Sequence, residues 1–176
     1  MKKITLLLLT VLILSSCSAI DELTKFDIDY NSSVVVQSSS AVDLPFNVET
    51  PPMETNSEST FESNNTNKDL IEEIHLKSMK LTITDPADED FSFLKSIEIF
   101  IKADGLDEVS IASLEEVPAN AGSTLELDTS GTDIKAYIKQ DSFTLRVSTV
   151  TDEVIDKDIS IDILSVFAID AKILGI

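Results

Sequence analysis

The chain has 176 residues, with 32 acidic side chains against 13 basic ones and a net charge of −19. Charge of that sign repels phosphate backbones and anionic headgroups, which argues against nucleic acid as a partner. A single cysteine, a single histidine and no tryptophan exclude an internal disulfide and zinc sites built from His and Cys, and weaken the case for an aromatic sugar-stacking platform.

At the N-terminus, Met1-Lys2-Lys3 forms a basic region and Ile4 to Leu14 an apolar run broken only by Thr5 and Thr10. A bilayer-spanning helix needs about twenty apolar residues, so this run reads as the core of a secretory signal. Leu14-Ser15-Ser16-Cys17 follows at once. It resembles the lipobox of bacterial lipoproteins, in which an aliphatic residue and two small residues precede a cysteine that takes a diacylglycerol on its thiol. The resemblance implies cleavage before Cys17, lipidation of Cys17 and attachment to a membrane through that lipid. Loss of Lys2 and Lys3 would leave 11 basic side chains against 32 acidic ones on a chain of 160 residues, about one domain in length. In the enterobacterial sorting system an aspartate directly after the cysteine retains a lipoprotein in the inner membrane. Here that position is Ser18, which makes the outer membrane the expected location. Asp21-Glu22 either resembles the acidic signal that carries lipoproteins of the Bacteroidota to the cell surface, set slightly late, or belongs to a solvated tether.

The alternation of Phe26, Ile28 and Tyr30 with Asp27 and Asp29, followed by Val34-Val35-Val36, predicts one or two short strands. Pro45-Phe46-Asn47-Val48 predicts another, stopped by Pro51-Pro52. Glu54 to Lys68 is polar apart from Phe61 and reads as a loop or linker.

Beyond it, period-two alternation repeats to the C-terminus. Met79, Leu81 and Ile83 share one parity and Ile74 and Leu76 the other, which predicts a bulge near Lys77-Ser78. Further strands are expected around Ile97-Ile99-Ile101, Val109-Ile111, Leu125-Leu127 and Phe143-Leu145-Val147. The longest pattern places Ile159, Ile161, Ile163, Ser165, Phe167, Ile169 and Ala171 on one face. Its second half, with Leu164, Val166 and Ala168 on the other face, reads as a central strand. The one helical candidate is Asp133 to Gln140, with Ile134, Tyr137 and Ile138 on a common face and Asp133 as cap. Many short strands and almost no helix predict an all-β, antiparallel two-layer β-sandwich, with an isolated barrel as the alternative. The expected organisation is a signal peptide over 1–16, a lipidated tether with short strands and a polar loop over 17–68, and the main β-sandwich domain over 69–176.

The stretch from about Ile74 to Ile173, with Phe91-Ser92-Phe93-Leu94-Lys95-Ser96-Ile97-Glu98-Ile99 and Asp141-Ser142-Phe143-Thr144-Leu145-Arg146-Val147, resembles small lipoproteins of the Bacteroidota type. The resemblance implies an immunoglobulin-like or similar sandwich. It carries no catalytic motif.

His75 lies between Ile74 and Leu76 on an expected strand, with no nucleophile-elbow sequence anywhere, so it reads as a strand-surface histidine rather than a triad base. The acids gather in three turns: Asp85, Asp88, Glu89 and Asp90; Asp128 and Asp133 with Ser130 around Gly131; and Asp152, Glu153, Asp156 and Asp158. Oxygen ligands suit calcium. None of the groups has the spacing of an EF-hand loop, however, and acidic turns are ordinary solvated surface, so no metal and no cofactor is expected. Phe100, on the polar parity of its strand, is expected to be covered or to join an exposed contact patch. The reading that results is a membrane-anchored envelope lipoprotein that is not an enzyme and acts as a binding or structural module toward a protein partner. A calcium-assisted or carboxylate-based hydrolase, or an accessory domain of one, is the alternative.

Overall fold

A computed structural model of the chain describes residues 24–38 and 42–172. The elements run β1 (Lys25–Val36), β2 (Pro45–Glu49), β3 (Met53–Glu54), α1 (Ser57–Ser63), β4 (Ile71–Asp85), a 3-10 turn (Phe91–Phe93), β5 (Leu94–Lys102), β6 (Val109–Leu114), β7 (Thr124–Thr129), α2 (Lys135–Ile138), β8 (Ser142–Thr151) and β9 (Ile159–Ala171). Every strand pairing is antiparallel. The strand order is β1-β9-β4-β7-β6-β5-β8-β2, with β3 also on β8.

This path is a two-layer antiparallel β-sandwich, the all-β fold that the alternation predicts. One layer is β1-β9-β4-β7 and the other β6-β5-β8-β2. They are joined where the end of β7 passes to β6 through Ala112↔Thr129 and Ser113↔Asp128. Among the described residues no ladder joins β1 to β2, so the path stays open rather than closing as a barrel.

The core follows from the parities. Along β8 the odd positions Phe143, Leu145, Val147, Thr149 and Thr151 are buried and the even ones half-exposed. Along β9 the buried set runs from Ile159 to Ala171 at every second residue. That strand is central, between β1 and β4. On β4 the register slips between Leu76 and Ser78, at the expected bulge. The slip lets Ile74 and Leu76 face the core together with Met79 and Leu81, which stand in the opposite phase. Tyr30, Phe143 and Phe167 meet edge to face across the two layers, with ring centroids 5.1, 5.6 and 6.0 Å apart.

Three local expectations need correction. Of the one or two short strands expected over 26–36, there is one and it is long, twelve residues over Lys25–Val36, because the polar Asn31-Ser32-Ser33 does not interrupt the ladder to β9. The stretch 54–68 is not a bare loop: it contains α1, whose Phe61 is fully buried. One large apolar side chain per short helix suffices when a core is already there to receive it. Thr55 fixes the approach, its hydroxyl donating to the Gln140 carbonyl at 2.5 Å and its N–H to the Asp141 carbonyl at 2.9 Å. The helix expected over 133–140 is reduced to α2, four residues long. Asp133 Oδ1 accepts from the Lys135 amide at 3.0 Å but also from the Ile74 amide at 3.1 Å, which ties it to β4. Ile134, Tyr137 and Ile138 are buried together, as their spacing predicts.

The described part of 17–68 therefore contributes strands and a helix to the same sheet and core as the described part of 69–176.

Candidate functional site

Cys17, the expected lipidation site, lies outside the described residues. The first described strand begins at Lys25, eight positions further on.

His75 stands on β4 opposite Ala168 of β9. Its Nε2 meets Glu73 Oε2 at 3.0 Å. That bond, aided by the negative charges of Glu73 and Asp133 and opposed by partial burial, raises the imidazole pKa above its ordinary value. The ring is thus engaged by a carboxylate, not by a serine hydroxyl.

In each of the three acidic turns some of the carboxylates are held by the fold itself. In the first, Asp90 Oδ1 accepts the Ser92 amide at 3.0 Å and starts the 3-10 turn. The hydrogen bonds from Ser92 hold its carboxyl below the usual range. Lys157 reaches Glu89 at 3.5 Å and Asp88 at 3.8 Å. In the second, burial pushes the Asp133 carboxyl up, but the amides of Lys135 and Ile74 outweigh it and leave the pKa lowered. Ser130 donates to the Ser110 carbonyl at 3.1 Å. In the third, Asp158 Oδ1 accepts the Ser38 amide at 2.8 Å and ties the end of the β1 segment to the turn before β9. Among the described residues, no three His, Cys, Asp or Glu side chains converge on a position that could hold a metal ion.

The most completely built polar cluster escaped the sequence reading. Arg146 on β8 makes a two-pronged pair with Glu108, Nε and Nη2 each 2.8 Å from a carboxylate oxygen. Its Nη1 donates to Asn47 Oδ1 on β2 at 2.6 Å. The guanidinium lies 4.0 Å over the ring of Phe100 on β5. Phe100 is therefore half-buried beneath an arginine, which answers the question its parity raised. The hydrogen bonds from Arg146 hold the Glu108 carboxyl below its ordinary range. Register accounts for part of the assembly: Phe100 stands directly opposite Arg146, Asn47 lies two residues along β2 from Glu49, which faces Arg146, and Glu108 immediately precedes β6. Local sequence could not reveal it, since the partners are up to 99 positions apart. The cluster clamps one outer face and leaves beside it an open depression of about 330 Å³ with Ser96, Glu98, Ser113 and Ser148 in its lining. A second depression, about 480 Å³, is bordered by Glu54, Glu58, Glu62, Lys68 and Asp141.

No family model matches the chain, and no curated protein matches it. Solved structures do match. The Desmodium yellow mottle tymovirus structure is 12% identical, with 86% of this chain and 85% of that chain covered and a TM-score of 0.28. A structure described as the basis for promiscuous specificity of carbohydrate-binding modules from the β-sandwich superfamily is 12% identical, covers 84% of this chain and 55% of that one, and has a TM-score of 0.31. The decameric BFDV capsid protein is 7% identical, with 84% and 98% covered and a TM-score of 0.37. At these identities and TM-scores the likenesses carry no argument about this chain.

Proposed function

We propose that this chain is a lipid-anchored envelope protein, held at the outer membrane through Cys17, whose β-sandwich is a non-catalytic module for binding a protein partner. The observation that carries the reading is the order basic region, short apolar run, Leu14-Ser15-Ser16-Cys17, with a globular β-domain beginning eight residues later. Acyl chains bury about 0.8 kcal/mol per methylene, and more than one chain is needed for firm anchoring. What supports the non-catalytic half is where the acidic groups spend their lone pairs: Asp90, Asp133 and Asp158 on backbone amides, and Asp88, Glu89 and Glu108 on cations. Groups tied in this way hold turns in place, whereas a general acid or base must face an open cleft with a pKa suited to proton transfer.

Metabolic labelling with a fatty acid tests the anchor. The expected result is label on the wild-type chain and none on Cys17→Ala, which is released or left unprocessed. Label that persists on Cys17→Ala removes the proposal. Protease added to intact cells then decides which way the module faces. Digestion of the wild type, with protection of the Asp21→Ala, Glu22→Ala double variant, places it on the cell surface. Digestion only after the outer membrane is opened places it toward the periplasm.

A further inference from the structure

The two terminal strands of the sheet are finished differently. β2 is five residues long, begins at Pro45 and leads into Thr50-Pro51-Pro52, so several positions along that margin have no N–H to offer. β1 is twelve residues long and contains no proline. Its register against β9 advances one residue at a time from Lys25↔Asp170 to Val36↔Ile159 without a bulge. Proteins ordinarily shorten, bend or block such an edge, because it is a template for another strand. Among the described residues, no backbone hydrogen bond joins Phe26–Val36 to anything but β9. At every second residue of an antiparallel edge strand the N–H and C=O point away from the ladder. The middle of the edge looks across a groove of about 390 Å³ whose far wall is Pro51, Pro52 and Met53, and whose near wall is Asn31, Ser32 and Ser33 with Asp162. The prolines cannot donate to β1, so the sheet does not close there.

We propose that the free edge of β1, from Phe26 to Val36, receives an extended segment of a partner protein as an added strand, and that this segment alternates apolar residues with Lys or Arg. The alternation follows from the two sides of the edge. Phe26 and Ile28 point inward but remain half-exposed at the margin, and apolar side chains of an added strand would cover them. Asp29 is exposed on the outer face of β1, where a cation of the added strand would sit opposite it, and Asp162 of β9, exposed beside Ser33, adds negative charge one strand further in. A second copy of the chain is the less suitable occupant, since it would bring a net charge of −19 against another of −19. The inference rests on the reading of the domain as a binding module but not on its anchoring.

The test uses the full chain and a short blocked peptide of alternating Lys and Val, with the Glu-Val counterpart as control. Calorimetry should give saturable binding of the Lys-Val peptide only, and hydrogen exchange should show new protection at alternate amides of β1. Asp29→Lys should weaken binding about tenfold. Of Ser32→Pro and Ser33→Pro, the one whose N–H points away from β9 should keep the wild-type melting temperature and bind at least as poorly as Asp29→Lys. The other should melt lower, which identifies it. The proposal is overturned by no binding of the Lys-Val peptide, by equal binding of the Glu-Val peptide, by binding that leaves β1 exchange unchanged, or by a dimer joined through β1. None of these outcomes bears on lipid labelling at Cys17, so the two readings fail separately.

Discussion

The region from Lys25 to Ser63 and the region from Ile71 to Ala171 reach the same core by different routes. In the second, order is written locally: every second residue of β8 and β9 is buried, and each strand has a preformed apolar face. In the first, β1 also alternates, burying Tyr30, Val34 and Val36, but the chain after it is mostly polar and the region is tied down by a few contacts: Tyr30 against Phe143 and Phe167, Phe61 against Phe26, and Thr55 against Gln140. Where each strand has its own apolar face, folding is robust to the loss of one contact outside the centre. Where a region depends on a few anchors, each anchor controls a whole element.

The largest effect should come from the centre. Replacing Ile161 or Ile163, both almost fully buried on β9, by Asp places an unpaired carboxylate in the core at a cost of several kcal/mol, against a typical total stability of about 5–15 kcal/mol. Loss of the β-type circular dichroism spectrum at room temperature is the expected result, and a folded Ile161→Asp protein would contradict the assigned parity. Phe61→Ala comes next, at about 3–5 kcal/mol by the usual cost of such truncations. Its signature should be regional: faster hydrogen exchange in α1 and β3 before any change in β4 or β9. Uniform weakening of both regions would erase the distinction drawn between them.

Tyr30→Phe keeps the ring cluster and removes only the hydrogen bond from its hydroxyl to the Thr55 carbonyl, 2.7 Å in length. About 1 kcal/mol of stability should be lost, measured by denaturant unfolding. In the wild type, burial pushes the Tyr30 phenol up to about 12. A group whose pKa is raised on folding contributes stability that is full below its unfolded value near 10 and is lost as pH rises through the folded value. Wild-type stability should therefore fall above about pH 10, and Tyr30→Phe should lose part of that slope.

The smallest effect is at His75. Its raised pKa means that the stabilising bond to Glu73 is fully made below the unfolded pKa of about 6.5 and is lost as pH rises through the folded one. An NMR titration should place its midpoint above about 6.5, and Glu73→Gln should lower that midpoint. A midpoint below that of a model histidine would show that burial outweighs the carboxylate.

The same contrast explains what the sequence made legible. The strands from Ile71 onward, the bulge at Lys77-Ser78 and the central place of β9 could be read because alternation is a local signal that burial enforces. α1 could not, since its buried residues are Phe61 and the polar Ser57, and a single apolar side chain leaves no hydrophobic period to detect. Nor could the Arg146 cluster, whose four members come from β2, β5, the segment before β6, and β8. Its arrangement is a product of strand order and register, which sequence spacing does not encode. The free edge of β1 was hidden for the same reason, because an edge exists only once the order of strands is known.

Residue-resolved hydrogen exchange along β1 in the full chain tests the account most directly. If β1 belongs to the sandwich and presents an open edge, amides between Phe26 and Val36 should alternate: those bonded to β9 protected like the β4 ladder, those pointing outward exchanging as fast as loop amides. Uniformly fast exchange would make the segment a tether, and uniform protection would mean that its edge is already covered. Either result would contradict the structure described for this edge.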